Sequence, residues 1–145
     1  MKIAIYGRAF KTGQDEPIRA ILSKLEAVKA DVMIHEQFHK LIYKKAKVPK
    51  RFSLFSNHEE IKNNVDFLFS VGGDGTLLET LTLIRDSGIP VMGINTGRLG
   101  FLSSIAKEEI DTAVDAVMKN KFSIDKRTLI RLETKSKLFG KVNYA

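Results

Sequence analysis

A chain of 145 residues and 16.3 kDa is one domain's worth by length, and with 43% hydrophobic residues it can bury a real core, which excludes wholesale disorder. It has no cysteine, so disulfides, cysteine-ligated zinc and a thiol nucleophile are all excluded. The net charge of +7 admits three classes of partner: nucleic acid, an acidic membrane, or a phosphorylated substrate.

Lys2 to Tyr6 reads as a short apolar strand ending at Gly7-Arg8. Met1 to Gly7 is too short for a signal peptide and no apolar run reaches transmembrane length, so a soluble, cytoplasmic protein with no membrane partner is expected. Glu16-Pro17 opens a helix, since proline suits the first helical position. Ile18, Ile21, Leu22, Leu25 and Val28 give that helix one apolar face. Val32-Met33-Ile34 reads as a second strand, and strand–helix–strand suggests a parallel sheet covered by helices.

His35-Glu36-Gln37-Phe38-His39 satisfies the zinc-protease pattern H-E-x-x-H. That chemistry needs both imidazoles one turn apart on a helix and a third ligand. Here the pattern starts where a strand ends, so no metal is expected; a polar strand end running into a surface helix is. Lys40, Lys44, Lys45, Lys47, Lys50 and Arg51 form a basic run with little aromatic interleaving and no nucleic-acid motif around it. A solvated loop is expected there, with steering of polyanionic substrates as the alternative and no nucleic-acid partner. Asn57 to Asn64 is a polar segment leading into the next strand.

Val65 to Ser70 has the length and β-forming composition of a buried strand. Gly72-Gly73-Asp74-Gly75-Thr76 follows, and then Leu77, Leu78, Leu81 and Ile84 fall at helical spacing. Three glycines around one carboxylate therefore sit where a strand ends and a helix begins, the place where open parallel sheets bind ligands. Glycines allow close backbone approach, and the free N–H groups of a helix start favour phosphate. A simple phosphate cradle gains nothing from the negative charge of Asp74. Such a carboxylate makes sense if it handles a proton or helps hold a metal; the plain alternative is a helix cap.

Ile89 to Asn95 reads as another short buried strand, followed by the glycine-punctuated loop Thr96 to Leu102. The two loops then open on one edge of the sheet and can share a pocket. On spacing alone, Phe101 is expected in the core. Lys107 to Asn120 reads as a helix with Glu108 and Glu109 in its first turn and Ile110, Val114, Val117 and Met118 buried. From Phe122 on the pattern changes to β structure, with a hairpin over Leu138 to Val142. The expected architecture is an α/β domain over residues 1–121, a doubly wound, mainly parallel sheet with helices on both faces. The start of a β-rich second domain over 122–145 follows it.

Gly72-Gly73-Asp74-Gly75-Thr76 together with Pro90-Val91-Met92-Gly93-Ile94-Asn95-Thr96-Gly97-Arg98-Leu99-Gly100-Phe101-Leu102 resembles the NAD kinase family. The first motif also resembles diacylglycerol and sphingosine kinases and, more distantly, 6-phosphofructokinases; the second separates them. The resemblance is strongest from Val65 to Leu102. It implies phosphoryl transfer from ATP, or polyphosphate in some members, to the adenosine 2′-hydroxyl of NAD. Gly72, Gly73, Gly75 and Thr76 would offer donors to phosphate, with Mg²⁺ or another divalent cation bridging oxygens. Asp74 would accept the hydroxyl proton, Phe101 would line the adenosine pocket, and Asn95 and Arg98 would orient the loop or touch phosphate. The family has a second, all-β domain whose Asn-Asp or Asn-Glu motif would fall past Ala145, and its later residues make oligomer contacts. The chain is therefore expected to be an N-terminal fragment, inactive alone and homo-oligomeric when full length. The rivals are a lipid kinase, for which no apolar entry for acyl chains is visible, and a non-catalytic nucleotide-binding module.

Overall fold

Short, nearly continuous apolar runs set the sheet. β1 (Lys2–Gly7), β2 (Asp31–His35), β3 (Ser53–Phe55), β4 (Phe67–Val71) and β5 (Val91–Ile94) are all parallel, in the order β3-β2-β1-β4-β5. The computed structural model describes residues 1–8, 15–97 and 100–130. β4 is buried at every position, as expected of a strand covered on both faces. Phe67, Phe69 and Val71 join Ile3, Ile5, Val32 and Ile34 in one core, sealed by α1 (Asp15–Ala27) and α6 (Ile110–Met118). Leu68, Ala4 and Met33 face the other way, onto Ile61, Leu83 and Ile84. Those three come from α3 (His58–Ile61) and α5 (Leu81–Ile84). Helices thus cover both faces, and the doubly wound α/β architecture read from the sequence is the one found.

The strand order has a functional consequence. From β1 the chain winds to β2 and β3 on one side; from β4 it winds to β5 on the other. The direction of winding reverses between β1 and β4, and the crevice outside their carboxyl ends is the ligand position of such sheets. Gly7 pairs with Val71, so Arg8 and Gly72 leave neighbouring strands side by side.

The local departures have physical causes. The helix expected after Gly75 is two pieces, α4 (Asp74–Glu79) and α5, broken at Thr80. Thr80 Oγ1 donates to the Leu77 carbonyl at 2.6 Å and Thr82 Oγ1 to the Glu79 carbonyl at 2.8 Å, hydroxyls competing with the helical ladder. Leu78 points outward, half exposed. β3, which the sequence reading passed over, is a three-residue strand with Ser53 and Leu54 exposed. Within the basic run, Arg51 is not merely solvated. Its guanidinium donates to the carbonyls of Ala30 (2.6 Å), Leu25 (3.3 Å) and Glu26 (3.3 Å), tying it to the end of α1 and the turn that follows. The helix expected over 107–120 is a 3₁₀ turn (Lys107–Glu109) followed by α6. Residues 121–130 carry neither helix nor strand, and the hairpin expected at Leu138–Val142 lies outside the described residues.

α2 (Glu36–Ile42) begins directly after β2, so His35 is the last strand residue and His39 sits on the helix. The His35 ring is buried edge-on between Tyr6 and Phe55, each 5.2 Å away between centroids. His39 lies against Tyr43 instead. Among the described residues no group of three or more His, Cys, Asp or Glu side chains could hold a metal.

Burial pushes the pKa of His35 down, against a backbone hydrogen bond at Ser56 and the charges of Glu36 and Glu60. A histidine held neutral by folding adds stability above its ordinary pKa, and loses it as pH falls from about 6.5 through the lower folded value. Urea unfolding at pH 7.5 and 5.5 should show a larger acid-side loss for wild type than for His35→Gln. Equal losses would mean that His35 titrates alike folded and unfolded.

Candidate functional site

The turn after β4 is built by its glycines in two different ways. Gly72 has φ +156°, and a Cβ there would run into the Thr76 side chain. Its N–H donates to the Ile94 carbonyl at 2.9 Å, which ties the turn to β5. Gly73 and Gly75 are different, because a Cβ at either would meet nothing within 4 Å among the described residues. Their missing side chains answer no packing need of the protein and leave the turn open to an incoming group. Thr76 is buried and packs over Gly72.

The second loop lies on β5. A Cβ on Gly93 would come within 2.7 Å of the Ser103 Cα and of Leu77 Cδ1, so glycine is what lets the loop rest there. Asn95 is buried, and its Oδ1 accepts the Gly97 N–H at 2.7 Å. Its Nδ2 donates to the Ser103 carbonyl at 3.4 Å. Asn95 therefore ties together the two ends of its own loop. Arg98 lies outside the described residues.

Asp74 joins the two loops. Its Oδ2 accepts the Phe101 N–H at 2.9 Å, while Oδ1 accepts those of Leu102 (3.0 Å) and Ser103 (2.9 Å). Three consecutive backbone donors converge on one carboxylate. The N–H groups of Ser103 and Phe101, with a smaller contribution from Leu102, hold its pKa below the ordinary carboxylate range against partial desolvation. Asp74 is thus ionised at neutral pH and anchors the loop. Gly100 lies against the same carboxylate, with no room there for a side chain. The Phe101 side chain, expected in the core from spacing, is 99% exposed. Its backbone is held by Asp74, and the ring is turned out of the protein.

Three residues escaped the sequence reading. The Tyr6 hydroxyl donates to Glu79 Oε2 at 2.8 Å, and Arg8 Nη1 lies 2.8 Å from Glu79 Oε1. Burial first, then the hydrogen bond and charge of Glu79, push the Tyr6 phenol up to about 12. The available signal was topological: the carboxyl end of a central first strand borders the crevice wherever winding reverses beside it.

Residues 19–122 match the family described as the ATP-NAD kinase N-terminal domain. A NAD kinase of Christiangramia forsetii is 39% identical over 142 residues, 98% of this chain and 48% of that relative. One of Flavobacterium psychrophilum is 38% identical over 138 residues, 95% of this chain and 47% of the relative. The chain thus spans about half the length of the curated relatives it matches. A crystal structure of yeast NADH kinase complexed with NADH superposes with a TM-score of 0.70 at 21% identity, covering 83% of this chain and 36% of that one, a likeness of fold. Among the described residues, no helix is long and apolar enough to cross a membrane.

Proposed function

The chain belongs to the NAD kinase family, and on that premise we propose that it is the nucleotide-binding half of an enzyme that phosphorylates the adenosine 2′-hydroxyl of NAD with ATP. The observation that carries this reading is the way Asp74 is held. A carboxylate has about four acceptor positions. Among the described residues Oδ1 takes two N–H groups and Oδ2 takes one, which leaves the open position on Oδ2. Oδ2 is therefore the atom assigned to the substrate hydroxyl.

Its depressed pKa makes Asp74 a weak base, so proton uptake comes late, once bonding to phosphorus has made the hydroxyl acidic. Little covalent chemistry falls to a protein in phosphoryl transfer; positioning and charge stabilisation carry it. Gly73 and Gly75, with open space where a side chain would stand, suit close approach of the turn's backbone by donor phosphates. A divalent cation such as Mg²⁺ would arrive with ATP and neutralise phosphate charge; phosphate and water oxygens would be its main ligands, because the open position of Asp74 is the one assigned to the hydroxyl. The exposed Phe101 ring supports a role as a wall for the adenine of NAD. A cytoplasmic setting and a homo-oligomeric whole belong to the same reading.

The full-length protein, given NAD, ATP and Mg²⁺, should form NADP, whereas residues 1–145 alone should give negligible turnover. Absence of NADP from the full-length protein would refute the activity. Comparable turnover by the 145-residue segment would refute the need for the other half.

A further inference from the structure

We propose that Arg8 binds the polyphosphate chain of the phosphoryl donor, with Glu79 as the positioning residue that holds its guanidinium and Tyr6 as the residue that orients Glu79. The inference rests on the kinase reading for the identity of the donor and on the structure for the placement.

Three observations place Arg8 at the crevice. Gly7 and Val71 are register partners, so Arg8 emerges beside Gly72 at the start of the Gly-Gly-Asp-Gly turn. The winding of the sheet reverses between those two strands. The Arg8 side chain is 61% exposed, with Nη1 engaged by Glu79. Arginine presents five donors in a planar fork suited to phosphate, and among the described residues one engaged nitrogen leaves most of the fork for a ligand.

Glu79 is the far end of α4, the helix that begins with Asp74. The cation and the proton acceptor are thereby referred to one rigid segment, about 9 Å long at 1.5 Å per residue. A lone surface ion pair fixes little. Here both carboxylate oxygens of Glu79 are used, one by Arg8 and the other by a part-buried phenol. That second hydrogen bond keeps Glu79, and through it Arg8, in one orientation. A polyphosphate brought to a turn that already carries the Asp74 charge needs a cation on the neighbouring strand end, and Arg8 is that cation.

The test uses the full-length protein and two readouts, calorimetric binding of Mg²⁺–ATP and steady-state kinetics with NAD. Arg8→Met should weaken ATP binding about tenfold or more, the usual loss for a charge-assisted contact, and raise the KM for ATP while that for NAD moves less than about twofold. Arg8→Lys, which keeps the charge and loses the fork, should fall between. Tyr6→Phe should weaken ATP binding in the same direction by a smaller factor, with melting temperature checked for each variant. ATP affinity unchanged in a folded Arg8→Met protein would overturn the inference, as would a rise confined to the KM for NAD. A wild-type protein that forms no NADP, yet whose ATP affinity falls on Arg8→Met, would refute the kinase reading and leave Arg8 as the polyphosphate ligand.

Discussion

Replacing Asp74 with asparagine in the full-length protein should lower kcat by about 10²–10⁴-fold, the range typical for loss of a general base. The side chain keeps its shape, but an amide has one acceptor oxygen and two donor hydrogens. If the oxygen stays under the N–H groups of Leu102 and Ser103, the amide nitrogen faces the Phe101 N–H, donor against donor. The substrate hydroxyl loses its acceptor at the same moment. The KM for NAD should therefore rise too, because the segment carrying Phe101 is no longer clasped. Amide exchange at 101–103 should quicken in the variant. If Asp74 served only as an anchor, exchange would quicken while kcat stayed near wild type, and the proton-acceptor assignment would fall. The depressed pKa adds a second check. A carboxylate whose folded pKa is lowered keeps its contribution above the ordinary value and loses it as pH falls through the folded one. Asp74 should therefore impose no acid limb on kcat between pH 5 and 8, and the clasp should loosen only below about pH 4.

Gly100→Ala should cost roughly 10²-fold in kcat/KM while leaving the sheet intact. The new Cβ would fall 2.6 Å from Asp74 Cγ and 2.7 Å from Oδ2, and closer still to Oδ1. Either the carboxylate or the loop must move. A displacement of about 1 Å in a reacting group is enough for a loss of that size. Gly100 is part-exposed and outside both core clusters, so the melting temperature should change little. Steady-state kinetics beside a thermal melt separate the two effects. Full activity in Gly100→Ala would show that the clasp is not needed in the working state.

Much of this arrangement could be read from residue order. Val65 to Ser70 announced a buried strand, the glycines announced a turn, and Ile89 to Asn95 announced the strand that returns. Strand–helix–strand continuity then put both loops on one edge. What could not be read is which atoms meet. Asp74 binds backbone N–H groups 27 to 29 residues away, and backbone donors leave no mark on composition. Phe101 misled for a related reason, since an aromatic residue near apolar neighbours suggests burial when its exposure is set by the clasp on its backbone. Tyr6 and Glu79 lie 73 residues apart and belong to no local pattern. β3 is too short and too exposed to leave a periodic signal. The break at Thr80 depends on hydroxyls that bond backward into the helix, which apolar spacing does not register.

The clasp lies wholly within residues 67–103, a strand–helix–strand segment in which β4 pairs with β5, plus the loop that follows β5. Everything needed to seat the carboxylate against its three amides travels as a single stretch of chain. Such a stretch could be carried from one scaffold to another as a unit. Arg8 and Tyr6 come instead from β1, the part of the scaffold that receives the unit. Substitution along the carboxyl end of β1 would then alter what stands beside the turn while leaving the clasp itself as it is.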